Sequence, residues 1–183
     1  GDLFINGSYD DVTMTQSAEE AGMTKGALYH HFKTKDELYL TMMHRYLERV
    51  RDLLQDTVTA SGTARQRLQC LTTTFLNMPF QEQRMMQLVR RDTNRFQGEA
   101  RQHLVRAYQE ALPNQIEQIV RDGITAGEIV DHNARLLAWQ FVAVVEVALS
   151  AYARQFFGDP EQMAAYLTNI FFDGAGLSSV AGE

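Results

Sequence analysis

Two short helical segments on either side of one glycine constrain this chain more than any other feature of its sequence. Thr13 and Gln16 form a capping box, in which the threonine covers a free backbone N–H group and the glutamine reaches back to the cap. A short helix should follow and end at Gly22, because glycine readily adopts the left-handed conformation of a turn. Thr24 then offers a second N-cap for a segment that runs to Phe32. Together these signals predict a helix-turn-helix.

The residues near the turn divide the second segment into a packed side and an open side. Ala18 and Ala21 permit close approach of the two helices, and Met23 and Leu28 are expected to hold the second helix against the first. The open side lies at the N-terminal end of the second segment, which is the part that enters a major groove in proteins of this architecture. Its members are Thr24, Lys25, Gly26, Ala27, Tyr29 and His30.

The rest of the chain indicates helices only. A capping box over 34–37 predicts a long helix over 35–57, with Leu38, Met42, Tyr46 and Leu53 at helical spacing. Further helices are predicted over 64–77, 81–91, 99–126, 131–157 and 160–172. No strand-like alternation or internal repeat stands out. The predicted fold class is therefore all-α.

Three positions mark where these later helices bend or end. Pro113 should kink the helix over 99–126, because proline removes one backbone donor and crowds the preceding turn. Gly127 has the character of a C-cap that ends it. Asp159 precedes Pro160, and an N-cap followed by proline at the first helical position is a strong helix start.

Charge is distributed unevenly. The chain carries a formal net charge of −6, with 45% apolar and 22% charged residues, which is typical of a soluble globular protein. Its lysines are Lys25, Lys33 and Lys35, which all lie in one short stretch, and no Asp or Glu occurs between Ala21 and Lys35. The sequence thus predicts a small cationic patch on an acidic protein, and such a patch matters more for nucleic-acid binding than the total charge.

Several functional classes lack their sequence signals. The longest apolar run, 136–149, is shorter than the roughly 18 residues that cross a bilayer, and it is interpreted as a buried core helix. One cysteine, Cys70, cannot form an internal disulfide, so a reducing cytoplasm is expected and Cys70 is interpreted as a small buried hydrophobe rather than a redox switch. The five histidines show no metal-ligand spacing, and no phosphate loop or nucleophile motif occurs. We expect no enzyme activity, no metal, no cofactor and no membrane partner.

The stretch from Leu3 to Leu38 closely resembles the head of the TetR family of bacterial transcription regulators. The matching residues are Leu3-Phe4, Gly7-Ser8-Tyr9, Val12-Thr13-Met14, Ala18, the whole run from Ala21 to Phe32, Lys35 and Glu37-Leu38. The resemblance implies a three-helix DNA-binding head over 1–34 and a helical-bundle domain for ligand binding and dimerisation over 35–183. It also implies that the first helix and a basic arm begin before Gly1. Ser17 departs from the family pattern, which has a branched aliphatic residue there.

By this resemblance, Thr24 to Phe32 is the recognition helix and the partner is a double-stranded DNA operator. Lys25 and Thr24 are expected to reach base edges or nearby phosphates, whereas Gly26 and Ala27 allow close approach to the bases. Tyr29 and His30 would bind phosphates. The full set of predicted DNA contacts is Thr13, Thr15, Thr24, Lys25, Gly26, Ala27, Tyr29, His30 and Lys35.

The resemblance further implies a homodimer in which the last two long helices of each copy form a four-helix interface, and a small-molecule effector of unknown identity. The candidate effector contacts are Phe75, Met78, Met86, Arg90, Phe96, His103, Tyr108, Gln115, Trp139 and Glu146. Trp139 and Glu146 share one helix face and would suit a cationic ligand, whereas Arg90 or Arg91 would suit an acidic one. Ordinary core packing explains many of the same residues.

The predicted function is therefore a ligand-responsive repressor that the effector releases from its operator, with activation as a further possibility for the same architecture. The competing interpretation is a helical protein-interaction module without specific DNA binding. That interpretation accounts for the helical body but leaves the clustered lysines without a role.

Overall fold

The fold is all-α, as predicted. The structure, a computed structural model, describes residues 2–7 and 9–174 of the 183-residue chain. Within those residues, no strand is present and the helices are α1 (Asp2–Asn6), α2 (Met14–Glu20), α3 (Lys25–His31), α4 (Lys35–Thr59), α5 (Ala64–Leu76), α6 (Phe80–Asp92), α7 (Gly98–Ala111), α8 (Pro113–Thr125), α9 (Ala134–Val147), α10 (Ala151–Phe156) and α11 (Pro160–Asp173). A 3₁₀ turn over Thr93–Arg95 joins α6 to α7.

The helices belong to two compact units. The first unit takes in the chain up to Asp52 together with Met78–Ala111, and the second takes in Leu53–Asn77 together with the chain from Leu112 onward. The three helices of the head therefore pack in the same unit as the first half of α4, with α6 and α7. The domain boundary after residue 34 remains a prediction.

The first turn of α4 is capped, but not by the predicted reciprocal box. Thr34 accepts a hydrogen bond from the backbone N–H of Glu37 at 3.1 Å, as in a capping box. The carboxylate of Glu37, however, accepts from the backbone N–H of Lys33 at 2.7 Å rather than from that of Thr34. The second half of the box is therefore displaced by one residue.

The buried face of α4 agrees with the predicted apolar positions only at Tyr46, which is 4% exposed. Leu53 is 45% exposed, and Leu38 and Met42 are only half-buried. The deeply buried stripe contains Tyr39, Met43, Leu47, Val50 and Leu54. Two adjacent apolar stripes run along this helix, and tertiary packing buries one of them in the core while Leu38 packs against the head.

Proline breaks the predicted helix over 99–126 instead of kinking it. α7 ends at Ala111, and Leu112 has φ −140° and ψ −62°, outside the helical region. α8 then begins at Pro113, the first helical position, where the missing N–H group costs nothing. Because proline also disfavours the helical conformation at the residue before it, a new helix start is the less strained solution.

The predicted helix over 131–157 is also two helices, α9 and α10. Ser150 lies between them, accepts a hydrogen bond from the N–H of Ala153 at 3.1 Å and donates one to the carbonyl of Val147 at 2.8 Å. A serine that satisfies one helix end and caps the next competes with a continuous helix. The start of α11 agrees with prediction, since Asp159 accepts from the N–H of Glu161 at 3.1 Å.

The second unit places α5 against α8 and α11, and α8 against α9. Gly123 on α8 shows how close this packing is, because a Cβ atom there would lie 2.6 Å from Cβ of Ala64 and 2.8 Å from Ile129. The largest fully buried side chains of the second unit include Leu54, Leu68, Leu71, Phe75, Ile116, Ile119 and Phe141. Cys70 on α5 is exposed, so its interpretation as a buried hydrophobe is wrong.

Candidate nucleic-acid interface

The first helix of the helix-turn-helix begins with the predicted capping box. The side-chain oxygen of Gln16 accepts from the backbone N–H of Thr13 at 2.8 Å, and Thr13 accepts from the N–H of Gln16 at 3.2 Å. Thr13 and Thr15 are both exposed on the first turn of α2. The hydroxyl group of Thr15 is thus accessible to a phosphate, whereas that of Thr13 already donates to the side-chain oxygen of Gln16 at 2.9 Å.

The turn between α2 and α3 has the predicted geometry. Gly22 has φ +64°, a conformation that residues with a side chain rarely adopt, and the N–H of Met23 donates to the carbonyl of Ala18 at 2.9 Å. Met14, Ala18 and Leu28 then form a buried cluster. Met23, Phe32 and Leu38 pack around it, which holds α3 in one orientation against α2 and α4.

α3 is a one-sided helix. Thr24 caps it by accepting from the N–H of Ala27 at 3.1 Å, and Leu28 is 3% exposed. The opposite side leaves Thr24, Lys25, Gly26, Tyr29 and His30 exposed, with Ala27 half-buried between them. A Cβ atom at Gly26 would meet nothing within 4 Å, so this part of the helix is open to a large partner.

The exposed side chains of α3 form a cationic and aromatic surface. The ammonium group of Lys25 lies 5.9 Å from the ring centroid of Tyr29, a favourable cation–π geometry one helical turn away. The rings of His30 and His31 meet edge to face at 5.5 Å. Because no carboxylate lies between residues 21 and 35, nothing on this helix offsets the lysine charge. A surface of this kind suits phosphates and base edges.

Lys35 makes contacts within the chain, and these argue against its predicted contact with DNA. Its ammonium group donates to the carbonyls of Tyr9 at 2.9 Å and Val12 at 3.0 Å, and it lies 4.2 Å from the ring centroid of Tyr9. Two carbonyls and an aromatic face satisfy most of its interactions. We therefore leave Lys35 out of the DNA-contact set and assign it to the packing of the turn between α1 and α2.

The predicted effector contacts are divided between the two units. Met78, Met86, Arg90, Phe96, His103 and Tyr108 belong to the first unit, and Phe75, Gln115, Trp139 and Glu146 belong to the second. Six of the ten are buried, Trp139 and Glu146 are half-buried, and Arg90 and His103 are exposed. These assignments stay predictions.

Two of these candidates have identifiable neighbours. The guanidinium group of Arg135 lies 5.6 Å from the ring centroid of Trp139, so a cation of the chain itself already lies over that aromatic face. Phe96 packs 6.2 Å from the ring of Tyr39, as a core residue does. Both observations favour structural roles for these two aromatic rings.

The first unit contains a cleft that was not predicted from the sequence. Its volume is about 670 Å³, and its walls come from the head, α4 and the start of α6. Its apolar lining includes Met23, Leu28, Phe32, Met42 and Met85. The half-buried stripe of α4 that contains Leu38 and Met42 was its signal. We assign this cleft to the packing surface of the head and give it no ligand.

A smaller cavity of about 310 Å³ lies between α4 and α7. It contains His103, the one predicted effector contact that lines either cavity, together with His44, Glu48 and Arg106. Burial lowers the pKa of His44, Glu48 opposes this effect and His103 adds to it. Mixed charges of both signs line the cavity, so it shows no preference for an anion or a cation.

The second unit exposes an apolar face. Leu136 and Val147 on α9 are 60% and 59% exposed, and with Gln140 and Ala143 they follow one stripe of the helix. Tyr152 and Phe156 on α10 and Tyr166 on α11 are further exposed aromatic residues of this unit. The helix over 136–149 is thus buried on one side only in the single chain, rather than on every side.

Two classes of site are absent from the part of the chain that the structure describes. Across residues 2–7 and 9–174, no group of three or more His, Cys, Asp or Glu side chains is arranged to hold a metal ion. No helix over the same residues combines the length and apolar character needed to cross a membrane.

Comparisons with known proteins agree with the geometry. Among curated proteins, the HTH-type transcriptional activator FasR of Mycolicibacterium smegmatis is 29% identical over 76 residues, which are 42% of this chain and 35% of FasR. The matching region thus spans about a third of that relative's length. Two solved structures share the fold. FadR from Bacillus subtilis, in complex with stearoyl-CoA, has a TM-score of 0.80 at 15% identity, over 96% of this chain and 95% of FadR. AibR, in complex with isovaleryl coenzyme A and operator DNA, has a TM-score of 0.78 at 17% identity, over 93% and 92%.

Two family models match most of the chain. Residues 2–42 match the model described as bacterial regulatory proteins of the tetR family. Residues 61–175 match the model described as the tetracyclin repressor-like C-terminal domain. The first match covers the helix-turn-helix and the second covers α5 to α11. The chain therefore belongs to the TetR family of bacterial transcriptional regulators.

Proposed function

We propose that this chain is a ligand-responsive homodimeric repressor that binds operator DNA through α3. The one-sided character of α3 carries the proposal. Leu28 fixes the helix to the head, while Thr24, Lys25 and Tyr29 on the other side lie in a stretch between residues 21 and 35 that contains no Asp or Glu. A helix that is anchored on one side and cationic on the other fits a major groove.

The proposed contacts divide into two groups. Thr24, Lys25, Gly26 and Ala27 at the N-terminal end of α3 would face base edges, where a lysine prefers the acceptors of guanine and small residues admit thymine methyl groups. Tyr29 and His30, with Thr13 and Thr15 on the first turn of α2, would bind phosphates and fix the register. The main alternative, an interaction module without DNA binding, gives these exposed residues no purpose.

A homodimer is proposed through the apolar face of the second unit. Leu136, Ala143 and Val147 on α9 and Tyr166 on α11 expose apolar surface that water solvates poorly. A second copy that presents the same face would cover it in an isologous, two-fold interface. Two heads in one dimer would then read two half-sites.

The proposed effector is an acyl-coenzyme A thioester. The support comes from relatives, since FadR and AibR are described in complex with stearoyl-CoA and isovaleryl coenzyme A. The predicted contacts of this chain contain flexible apolar side chains such as Met78 and Met86, which adapt to an acyl chain. The cationic-ligand hypothesis built on Trp139 and Glu146 is weaker, because Arg135 lies over the indole ring. Effector binding would shift the dimer toward a state that cannot span both half-sites.

The DNA test starts with selection of bound duplexes from a randomised pool by the wild-type protein. The selected duplex is then titrated at increasing salt with the wild type, Lys25→Ala and Arg121→Gln. Arg121 is exposed on α8 in the second unit and pairs with Glu117, so its variant loses the same charge outside the unit that contains the head. We expect Lys25→Ala to weaken binding and to reduce the salt slope by about 0.9, and Arg121→Gln to match the wild type. Equal affinity for random and selected duplexes would reject the proposal.

The effector test uses stearoyl-CoA, isovaleryl-CoA, free coenzyme A and the lipophilic cation tetraphenylphosphonium. A raised melting temperature and release from DNA with an acyl thioester, but not with free coenzyme A, would support the proposal. A response to the cation that Glu146→Gln abolishes would support the alternative ligand class instead. A reporter gene under the selected operator decides between repression and the activation that FasR's description suggests.

A further inference from the structure

The turn between α1 and α2 is held by an unusual arrangement around Tyr9. The ammonium group of Lys35 lies 4.2 Å from its ring centroid, and the guanidinium group of Arg95 lies 4.6 Å from the same centroid. The hydroxyl group of Tyr9 donates to Asp36. Burial and this hydrogen bond raise the pKa of Tyr9, which keeps the phenol neutral. Two cations over one ring fix this turn tightly.

Arg95 contributes a second contact to the same turn. It donates to the carboxylate of Asp10 at 2.6 Å, so one side chain contacts two consecutive residues of the head. Arg95 belongs to the 3₁₀ turn after α6, and 85 residues separate it from Asp10. The contact therefore joins the head to a distant part of the same unit.

Two further contacts place α6 beside the head. Arg84 on α6 donates to the carbonyl of Ile5 at 3.0 Å and to the side-chain oxygen of Asn6 at 2.9 Å, at the end of α1. Asp92, the last residue of α6, accepts from Tyr39 at 2.6 Å. The segment 84–95 thus contacts the end of α1, the following turn and the first turns of α4.

Two of these contacts, Asp92 with Tyr39 and Arg95 with Asp10, differ in how much they contribute to folding stability. Asp92 and Tyr39 are buried, and their hydrogen bond belongs to the core. Arg95 and Asp10 have side chains that are 37% and 68% exposed, and such exposed pairs contribute little to folding stability. Loss of Arg95 should therefore leave the head folded and attached through its buried contacts. Its orientation relative to the rest of the first unit should become more variable.

We propose that Arg95 is a positioning residue that fixes the angle of the DNA-binding head and thereby makes the dimer selective for half-site spacing. The proposal rests on the proposed function, in which two heads read two half-sites. One added base pair rotates one half-site about the duplex axis and moves it along that axis relative to the other half-site. A head held at a fixed angle then loses DNA contacts that a head free to reorient regains. Arg95 need not touch DNA for this effect.

The experiment uses the operator selected by the wild-type protein and duplexes in which one or two base pairs are added or removed between the half-sites. Affinities are measured for the wild type, Arg95→Gln, Arg95→Lys and Arg121→Gln. The spacing penalty is the factor by which affinity falls when base pairs are added or removed between the half-sites. We expect Arg95→Gln to reduce this penalty by about two- to five-fold, the range that an exposed charged contact supplies. Arg95→Lys keeps the cation and should retain most of the penalty, and Arg121→Gln should retain all of it.

An unchanged spacing penalty in Arg95→Gln would overturn the proposal, and so would a uniform loss of affinity at every spacing, which a merely structural role predicts. A wild-type protein that selects no DNA would overturn the proposed function and spacing selectivity with it.

A measurement without DNA then decides the positioning role. Spin labels at Glu19→Cys on α2 and Gln102→Cys on α7, in a Cys70→Ser background, should show a broader distance distribution in Arg95→Gln than in Arg121→Gln. Equal distributions would reject the role of Arg95.

Discussion

The hydroxyl group of Tyr39 donates a 2.6 Å hydrogen bond to the carboxylate of Asp92, although 53 residues separate them in the chain. Arg91 donates to the same carboxylate at 2.6 and 2.9 Å. Burial by itself raises the pKa of Asp92, but the hydrogen bonds from Arg91 and Tyr39 outweigh burial and hold that pKa below its usual 3.8. A fully satisfied charge thus joins α4 to the end of α6.

Substitution of Tyr39 by phenylalanine should lower the free energy of unfolding by about 1.5–3 kcal/mol, because it removes a donor from a buried carboxylate. Urea unfolding at pH 7 measures this loss. Tyr152→Phe makes the same chemical change at a side chain that is 75% exposed, and it should have no measurable effect. Equal effects of the two substitutions would contradict the assigned role of Tyr39.

The pH dependence of stability should report on Asp92. Its pKa is lower in the folded than in the unfolded chain, so the unfolded chain takes up the proton first as the pH falls. The contribution of Asp92 is complete above pH 3.8 and is lost as the pH falls through its folded pKa. Urea unfolding at pH 5, 4 and 3 should therefore show a steeper loss for the wild type than for Asp92→Asn. Parallel curves would be inconsistent with the lowered pKa.

Two helical glycines should respond to alanine in opposite ways. Gly26→Ala meets no neighbour within 4 Å and should raise stability by about 0.5–1 kcal/mol through helix propensity, while weakening DNA binding at the face of α3. Gly123→Ala would bring Cβ to 2.6 Å from Ala64 and should cost about 1–3 kcal/mol. Thermal unfolding and DNA titration of both variants test the pair. Unchanged DNA affinity in Gly26→Ala would argue against close approach of this helix to the bases.

Substitution of Lys35 should affect stability and not DNA binding, whereas substitution of Lys25 should affect DNA binding and not stability. Lys35→Met keeps the aliphatic stem but loses two hydrogen bonds to carbonyls, so we expect stability to fall by about 1–3 kcal/mol. The salt slope of DNA binding should stay that of the wild type. Lys25→Met should show the reverse, with wild-type stability and a salt slope reduced by about 0.9. A reduced slope in Lys35→Met would restore Lys35 to the DNA-contact set.

Val147 should be essential for the homodimer. It is 59% exposed on α9, and Val147→Glu would place a charge in the proposed apolar interface, which is strongly unfavourable. Sedimentation equilibrium should show a shift toward the monomer. Val130→Glu introduces the same charge at a valine that is 62% exposed outside α9, and it should leave the dimer intact. Dimers that persist in Val147→Glu would exclude this part of the face from the interface.

The head was predictable because its signals are local. The caps at Thr13 and Thr24 and the turn at Gly22 depend on residues no more than five positions apart. Local signals also located the start of α11 at Asp159. The exposed side of α3 followed from these boundaries, because they determine which residues of α3 point away from Leu28.

The remaining features depend on competition between two local structures or on contacts between residues that lie far apart in the sequence. A serine inside an apolar run gives no clear sign that it will cap a new helix, so the break at Ser150 was missed. Lys35 looked like a DNA contact because the carbonyls that bind it lie 23 and 26 residues away. The contact between Arg95 and Asp10 joins residues 85 positions apart, and no periodicity in the sequence reports it.

The placement of every lysine in one short stretch of an acidic chain has a consequence for how the protein finds its operator. The exposed Lys25 on α3 and Lys33 just after it give the exposed side of α3 a positive charge, while the total charge of −6 makes the rest of the chain repel a duplex. Random encounters should therefore be oriented head first and should end quickly, because few counterions are released at a non-matching sequence. Short dwell times leave more encounters per second for the search, and only a matching groove retains the protein.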